Sequence, residues 1–191
     1  MADDLGTVRR DVHGCAREVL DFWFALTPEQ HFAKSDSLDR EIAARFGALR
    51  DVVLASGAAG WDDNPDTLLA AIVVLDQFSR NLHRGSAEAF AGDQLARRLA
   101  LEAIDKGWDR QVPPEQRAFF YMPLQHAEDA NLQALSVDKF GALGDDKSLS
   151  FARDHAEVIA RFGRFPSRNA ALGRVSTPAE LDYLSQPGAG W

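Results

Sequence analysis

Eight consecutive apolar residues, Leu68 to Leu75 (LLAAIVVL), lie within a stretch that carries strong helix signals, and no other feature restricts the fold as much. Asn64 followed by Pro65 reads as an N-cap with proline in the first helical turn, and the helix it starts runs through about Asn81. Such a helix is apolar on every side between Leu68 and Leu75, so other elements must wrap it completely. It is also far too short an apolar run to cross a bilayer.

The rest of the chain supplies the wrapping helices. Leu38, Ile42, Phe46, Leu49 and Val53 recur at spacings of three and four and draw one apolar stripe, which Gly57 and Gly60 end. Leu95, Leu99, Leu101 and Ile104 mark another helix that stops at Gly107. Pro113-Pro114-Glu115 opens a further stretch, in which Pro123 either introduces a kink or begins a new helix. That stretch is read as continuing through Leu124, Leu132 and Leu135 to a loop around Gly144. Phe151, Val158, Ile159 and Phe162 then lie on a helix closed by Gly163. Thr27-Pro28-Glu29-Gln30 and Thr177-Pro178-Ala179-Glu180 have the form of capping boxes. No alternating strand, hairpin turn, low-complexity tract or internal repeat interrupts this pattern. The expectation is one compact all-α domain over residues 1–191, of about seven to nine helices, with residues 1–14 as a flexible N-terminal tail.

Composition narrows the partners. The chain is 46% hydrophobic and its formal net charge is -8, which argues against nucleic acid and against an anionic membrane surface. A single cysteine, Cys15, rules out an internal disulfide and suits a reducing compartment. MADDLGTVRRDVHG has no apolar core of a signal peptide, so the cytoplasm is the expected location.

Function is sought where charges interrupt apolar patterns. Asp76 and Arg80 follow the apolar run one helical turn apart, a spacing at which carboxylate and guanidinium pair. In FFYMPLQHAED, Glu128 falls in line with Leu124, Leu132 and Leu135, and His126 projects from another side of the same helix. His155 occupies the apolar stripe between Phe151 and Val158. Arg161, Arg164, Arg168 and Arg174 crowd a short stretch with no acid, in an acidic protein. Arginines on a turn can converge on a carboxylate or phosphate; they can equally neutralise internal acids such as Asp76 and Glu128. The two His-Ala-Glu triplets point their members to opposite sides of a helix, and there is no HExxH, so no metal is expected. Nucleotide-loop and nucleophile-elbow motifs are absent, and no cofactor is expected.

In combination, VLDFWF, LDQFSRN, AF-AGD, FFYMPLQHAED and HAEVIARFGRFPSRNAALGRVSTPAEL resemble a bacterial family of uncharacterised proteins, domain of unknown function 924, assigned to the TPR-like helical superfamily. The resemblance spans about Val19 to the C-terminus and implies a TPR-like all-α fold with no established activity. Its motif positions fall on Phe22, Trp23, Phe24, Asp76, Gln77, Arg80, Asn81, His126, Glu128, His155, Phe162 to Pro166, Arg168, Asn169, Gly173 and Arg174. Two positions depart from it: relatives read FPHRN where this chain has Ser167, and HSE where it has Ala127. The missing histidine favours a pocket-shaping role for that motif over acid-base chemistry.

Three readings follow. In the first, Asp76, Gln77, Arg80, Asn81, His126, Glu128, His155, Arg164, Arg168 and Asn169 line a buried polar pocket for a small anionic or polar ligand. The arginines would be its anion contacts and the histidines its hydrogen-bonding or proton-transfer groups. No nucleophile-base pair is visible, so no reaction is assigned. In the second, a TPR-like groove binds a peptide or protein partner. The third gives the charges a purely structural role.

Overall fold

The computed structural model describes residues 2–190, with side chains from residue 12 onward. Every regular element among them is helical. The central rod is built from α4 (Pro65–Ile72), a π-helical segment (Val73–Phe78) and α5 (Ser79–Leu82). Asn64 caps it, its side-chain oxygen accepting from the amides of Asp66 and Thr67 at 3.0 Å each. None of Leu68 to Leu75 is more than 1% exposed. At about 1.5–3 kcal/mol for each large apolar side chain buried, this run anchors the fold.

Four helices enclose the rod: α1 (Ala2–Phe24), α3 (Asp36–Ala55), α6 (Asp93–Asp105) and α7 (Pro114–Gln125). Aromatic rings close the seams. Phe46 stacks on Phe78 with centroids 4.9 Å apart, and Trp23 meets Phe78 at 5.5 Å and Phe119 at 5.8 Å in edge-on contacts. A short α2 (Pro28–Phe32) has the capping box expected at Thr27, and His31 reaches back to the Trp23 carbonyl at 2.8 Å. The antiparallel pair α8 (Ala130–Leu143) and α9 (Asp146–Phe162) packs on α7. Beyond α9, α10 (Pro178–Leu184) begins with the capping box at Thr177, and Tyr183 rests on Phe162 at 5.3 Å. With the rod counted as one helix, nine helices form among the described residues, within the expected range.

Of the two alternatives at Pro123, a new helix is excluded: the residue sits inside α7, which runs on to Gln125. Conversely, the helix does not continue to Gly144. Residues 126–129 form a connector, because Asp129 caps α8 by accepting from Asn131 and Leu132. Gln133 fixes the break from the other side, donating to the carbonyls of Gln125 and Ala127 at 2.7 and 2.8 Å. At the other end, α1 includes Val12, His13 and Gly14, assigned above to the tail, and His13 meets Asp63 at 2.9 Å. The first eleven residues of that tail lie outside the residues whose side chains are described.

One close approach positions everything that follows. Gly92, just before α6, lies so near the rod that a Cβ there would sit 2.6 Å from the Leu75 carbonyl oxygen. Gly92→Ala therefore forces α6 away from the rod. Denaturant unfolding should show a loss of about 1–3 kcal/mol, the usual cost of overpacking. An unchanged midpoint would mean that the contact is dispensable.

Candidate functional site

The π-helical segment is the local feature that builds the site. An i→i+5 register widens the turn, and such segments occur frequently at functional sites. Here it carries Asp76 and Gln77, and Asp76 is only 1% exposed. Arg80 reaches back along the rod and donates to the Asp76 backbone carbonyl at 2.7 Å while its Nη1 lies 3.0 Å from the Asp76 carboxylate. Gln77 donates to the other carboxylate oxygen at 2.6 Å. His126, the C-cap residue of α7, brings Nδ1 to 2.8 and 3.0 Å from the two oxygens.

A second carboxylate completes the cluster. Asp93, at the start of α6, receives Arg80 in bidentate fashion, at 2.9 and 3.1 Å. It also receives Arg168 at 3.1 Å, across 75 residues of sequence. Gly163, with φ +70, ends α9 in the left-handed region and lets the chain turn into the 3-10 turn Pro166–Arg168. From there Arg168 also donates to the His126 carbonyl at 2.9 Å. Its guanidinium lies over Phe90 at 4.7 Å and Phe165 at 4.6 Å. His155 closes the ring of residues, 6.1 Å from His126 and 5.6 Å from Phe165 between centroids.

Electrostatics fixes the protonation states. Burial raises the Asp76 carboxyl, but the Arg80 guanidinium and the bonds from His126 and Gln77 outweigh it and hold the group well below the usual carboxylate range. His126 is lowered, because burial and the nearby arginines outweigh the pull of Asp76. A neutral ring beside an ionised carboxylate must donate from Nδ1, which leaves Nε2 as the acceptor nitrogen. His155 is pushed down to about 3, first by burial and then by His126. Its Nδ1 lies 2.7 Å from the Phe151 carbonyl, which can only accept. Burial and the repulsion of Arg80 bring Arg168 down to about 10.

Asp76, Gln77, Arg80, His126, His155 and Arg168 thus converge. The remaining candidates go elsewhere. Glu128, in the connector and not on a helical stripe, accepts from the Phe165 amide at 2.8 Å and pairs with Arg174 at 2.7 and 2.9 Å. Arg164 is taken by Glu180 at 2.6 and 2.8 Å, and Asn169 faces Ser176 and Glu180 in the same C-terminal corner. Asn81 donates to Asp39 at 2.7 Å, which also binds Arg84. Arg161 is exposed beside Phe162. Ser167 is exposed on its turn, so its side chain faces outward. Asp93 was not picked out from the sequence, although it ends the AF-AGD motif; an acid in a first helical turn reads simply as a dipole partner. Arg50, 3% exposed and donating to Ser79 and the Glu88 carbonyl, was also missed, despite lying in phase with Phe46 and Val53. Among the described residues no group of three or more His, Cys, Asp or Glu is arranged to hold a metal ion. No helix among them is long and apolar enough to cross a membrane.

Comparison with known proteins agrees with this picture of the fold. The family described as "Bacterial protein of unknown function (DUF924)" matches residues 19–188. A solved structure of a protein of unknown function from Agrobacterium tumefaciens is 38% identical and superposes with a TM-score of 0.87, covering 91% of this chain and 98% of that one. No curated protein matches.

The lowered histidines set a pH dependence. His31, His126 and His155 all bind protons more weakly in the folded chain than at the ordinary value of 6.5. Below that value the unfolded chain takes up protons that the folded chain refuses. Stability is therefore fully present above about pH 6.5 and falls toward pH 5, by up to about 1.4 kcal/mol per pH unit for each histidine. Urea unfolding across this range should show the slope, and His155→Gln should flatten it by the share of one proton. A flat profile in the unsubstituted protein would contradict the neutral, buried assignment.

Proposed function

The chain belongs to this bacterial family of unknown function, and we propose that it binds a small anionic ligand, a carboxylate or phosphate, at the Arg168–Arg80–His126 cluster. The observation that carries this reading is the position of Arg168. Two guanidiniums share the single carboxylate of Asp93, and Arg168 retains donors that the described residues do not use. Its side chain is 12% exposed, and Arg80, Asp93 and His126 beside it are 21%, 15% and 17% exposed, so the cluster opens to solvent. An anion there would relieve the repulsion between the arginines and use a planar donor fork already held between two aromatic rings. A reducing cytoplasm suits the lone Cys15 and the overall negative charge.

A peptide-binding role has one observation in its favour. A cleft of about 350 Å³ between α9 and α10 is lined by Phe151, Tyr183 and the acids Asp154 and Glu157, a surface suited to a basic peptide. Arg168 does not line it.

Thermal denaturation in inorganic phosphate and small carboxylates separates the two. The active class should raise the melting temperature, by the equivalent of about 2.7 kcal/mol at a hundred times its Kd. Arg168→Ala should abolish the shift, and Arg161→Ala, in the other cleft, should keep it. A shift that survives Arg168→Ala would refute the anion site.

A further inference from the structure

We propose that His126 is a general base, its Nε2 taking a proton from the anionic ligand seated against Arg168. This rests on the anion-binding reading and adds a chemical role to it. The geometry of Asp76 carries the argument. Its carboxylate accepts from His126, Gln77 and Arg80 and has no exposed face, so it cannot itself reach a ligand. What it does is hold the imidazole by Nδ1, fixing both the tautomer and the direction of Nε2. Nε2 has no hydrogen-bond partner among the described residues, and it is not one of the polar atoms sealed from solvent. Held in this way, Nε2 is the one nitrogen of the ring left for a ligand to reach.

The surroundings match proton abstraction. Arg168 is fastened to the backbone carbonyl of His126 itself, so an anion on that guanidinium lies beside the imidazole. His155, 6.1 Å from His126 between ring centroids, is held neutral and adds no competing positive charge. The lowered affinity of His126 for protons keeps the ring unprotonated and ready at neutral pH. In the step itself, the Nε2 lone pair forms an N–H bond as an O–H or C–H bond next to the ligand's anionic group breaks. The bonding electrons stay on the ligand, which gains one negative charge facing Arg168 and Arg80. The ring becomes an imidazolium paired with Asp76. Substrates of this kind are small hydroxy- or oxo-carboxylates and their phosphate counterparts.

Diethyl pyrocarbonate, which acylates unprotonated imidazole nitrogens, tests the assignment on the intact protein without a known substrate. Peptide mass spectrometry should find His126 modified alongside the exposed His13. Inorganic phosphate at ten times its Kd should slow the reaction at His126 about tenfold and leave His13 unaffected. Long-range proton–nitrogen NMR at neutral pH should show Nδ1 protonated and Nε2 bare. A His126 that resists modification, or a ring protonated on Nε2, overturns the proposal. If phosphate raises the melting temperature but does not shield His126, the anion site stands and the general base falls. If neither phosphate nor a small carboxylate stabilises the protein or shields His126, both readings fall.

Discussion

The carboxylate of Asp93 is the constraint on which the polar interior depends. It accepts from Arg80, thirteen residues away, and from Arg168, 75 residues away. Without it, two guanidiniums would face each other in a partly desolvated space, where removing one member of a buried pair commonly costs about 3–5 kcal/mol. Its own position is set by packing, since Gly92 allows the start of α6 to touch the Leu75 carbonyl. A steric detail on the rod thus decides an electrostatic one several ångströms away.

The charges around it balance in a particular way. Asp76 and Asp93 offset Arg80 and Arg168, and the two histidines, under the burden of burial, stay neutral. Neutral imidazoles beside two cations are donors and acceptors of fixed sense, each oriented through Nδ1 by an acceptor that cannot change role. Orientation of this kind costs nothing further when a ligand arrives.

Much of the frame could be read from residue order because local rules govern it. Asn64-Pro65 started the rod, Thr27 and Thr177 formed their capping boxes, and the run from Leu68 is enclosed as its composition demands. The connector at 126–129 was not legible, because Leu124 and Leu132 stay in helical phase across it by coincidence of spacing. The break is made by side chains, Asp129 and Gln133, whose partners depend on the folded chain. The arginines of the Gly163 turn show the same limit. Sequence placed them together, but tertiary packing sends Arg164 to Glu180, Arg174 to Glu128 and Arg168 to Asp93. The π register escaped because a wheel of 3.6 residues per turn assumes it away.

That register gives the rod one place where its length can change without turning the rest. A π-helical turn holds one residue more than an α-turn does. Deleting a single residue between Val73 and Phe78 would remove that surplus and let the segment relax into ordinary helix, so the residues on either side would keep their facings. Leu68 to Ile72 would hold their places, and Ser79 and Arg80 would still face Arg50 and Asp93. What would go is the widened turn that carries Asp76 and Gln77. A deletion elsewhere in the rod has no surplus to draw on and would turn everything after it by about 100°.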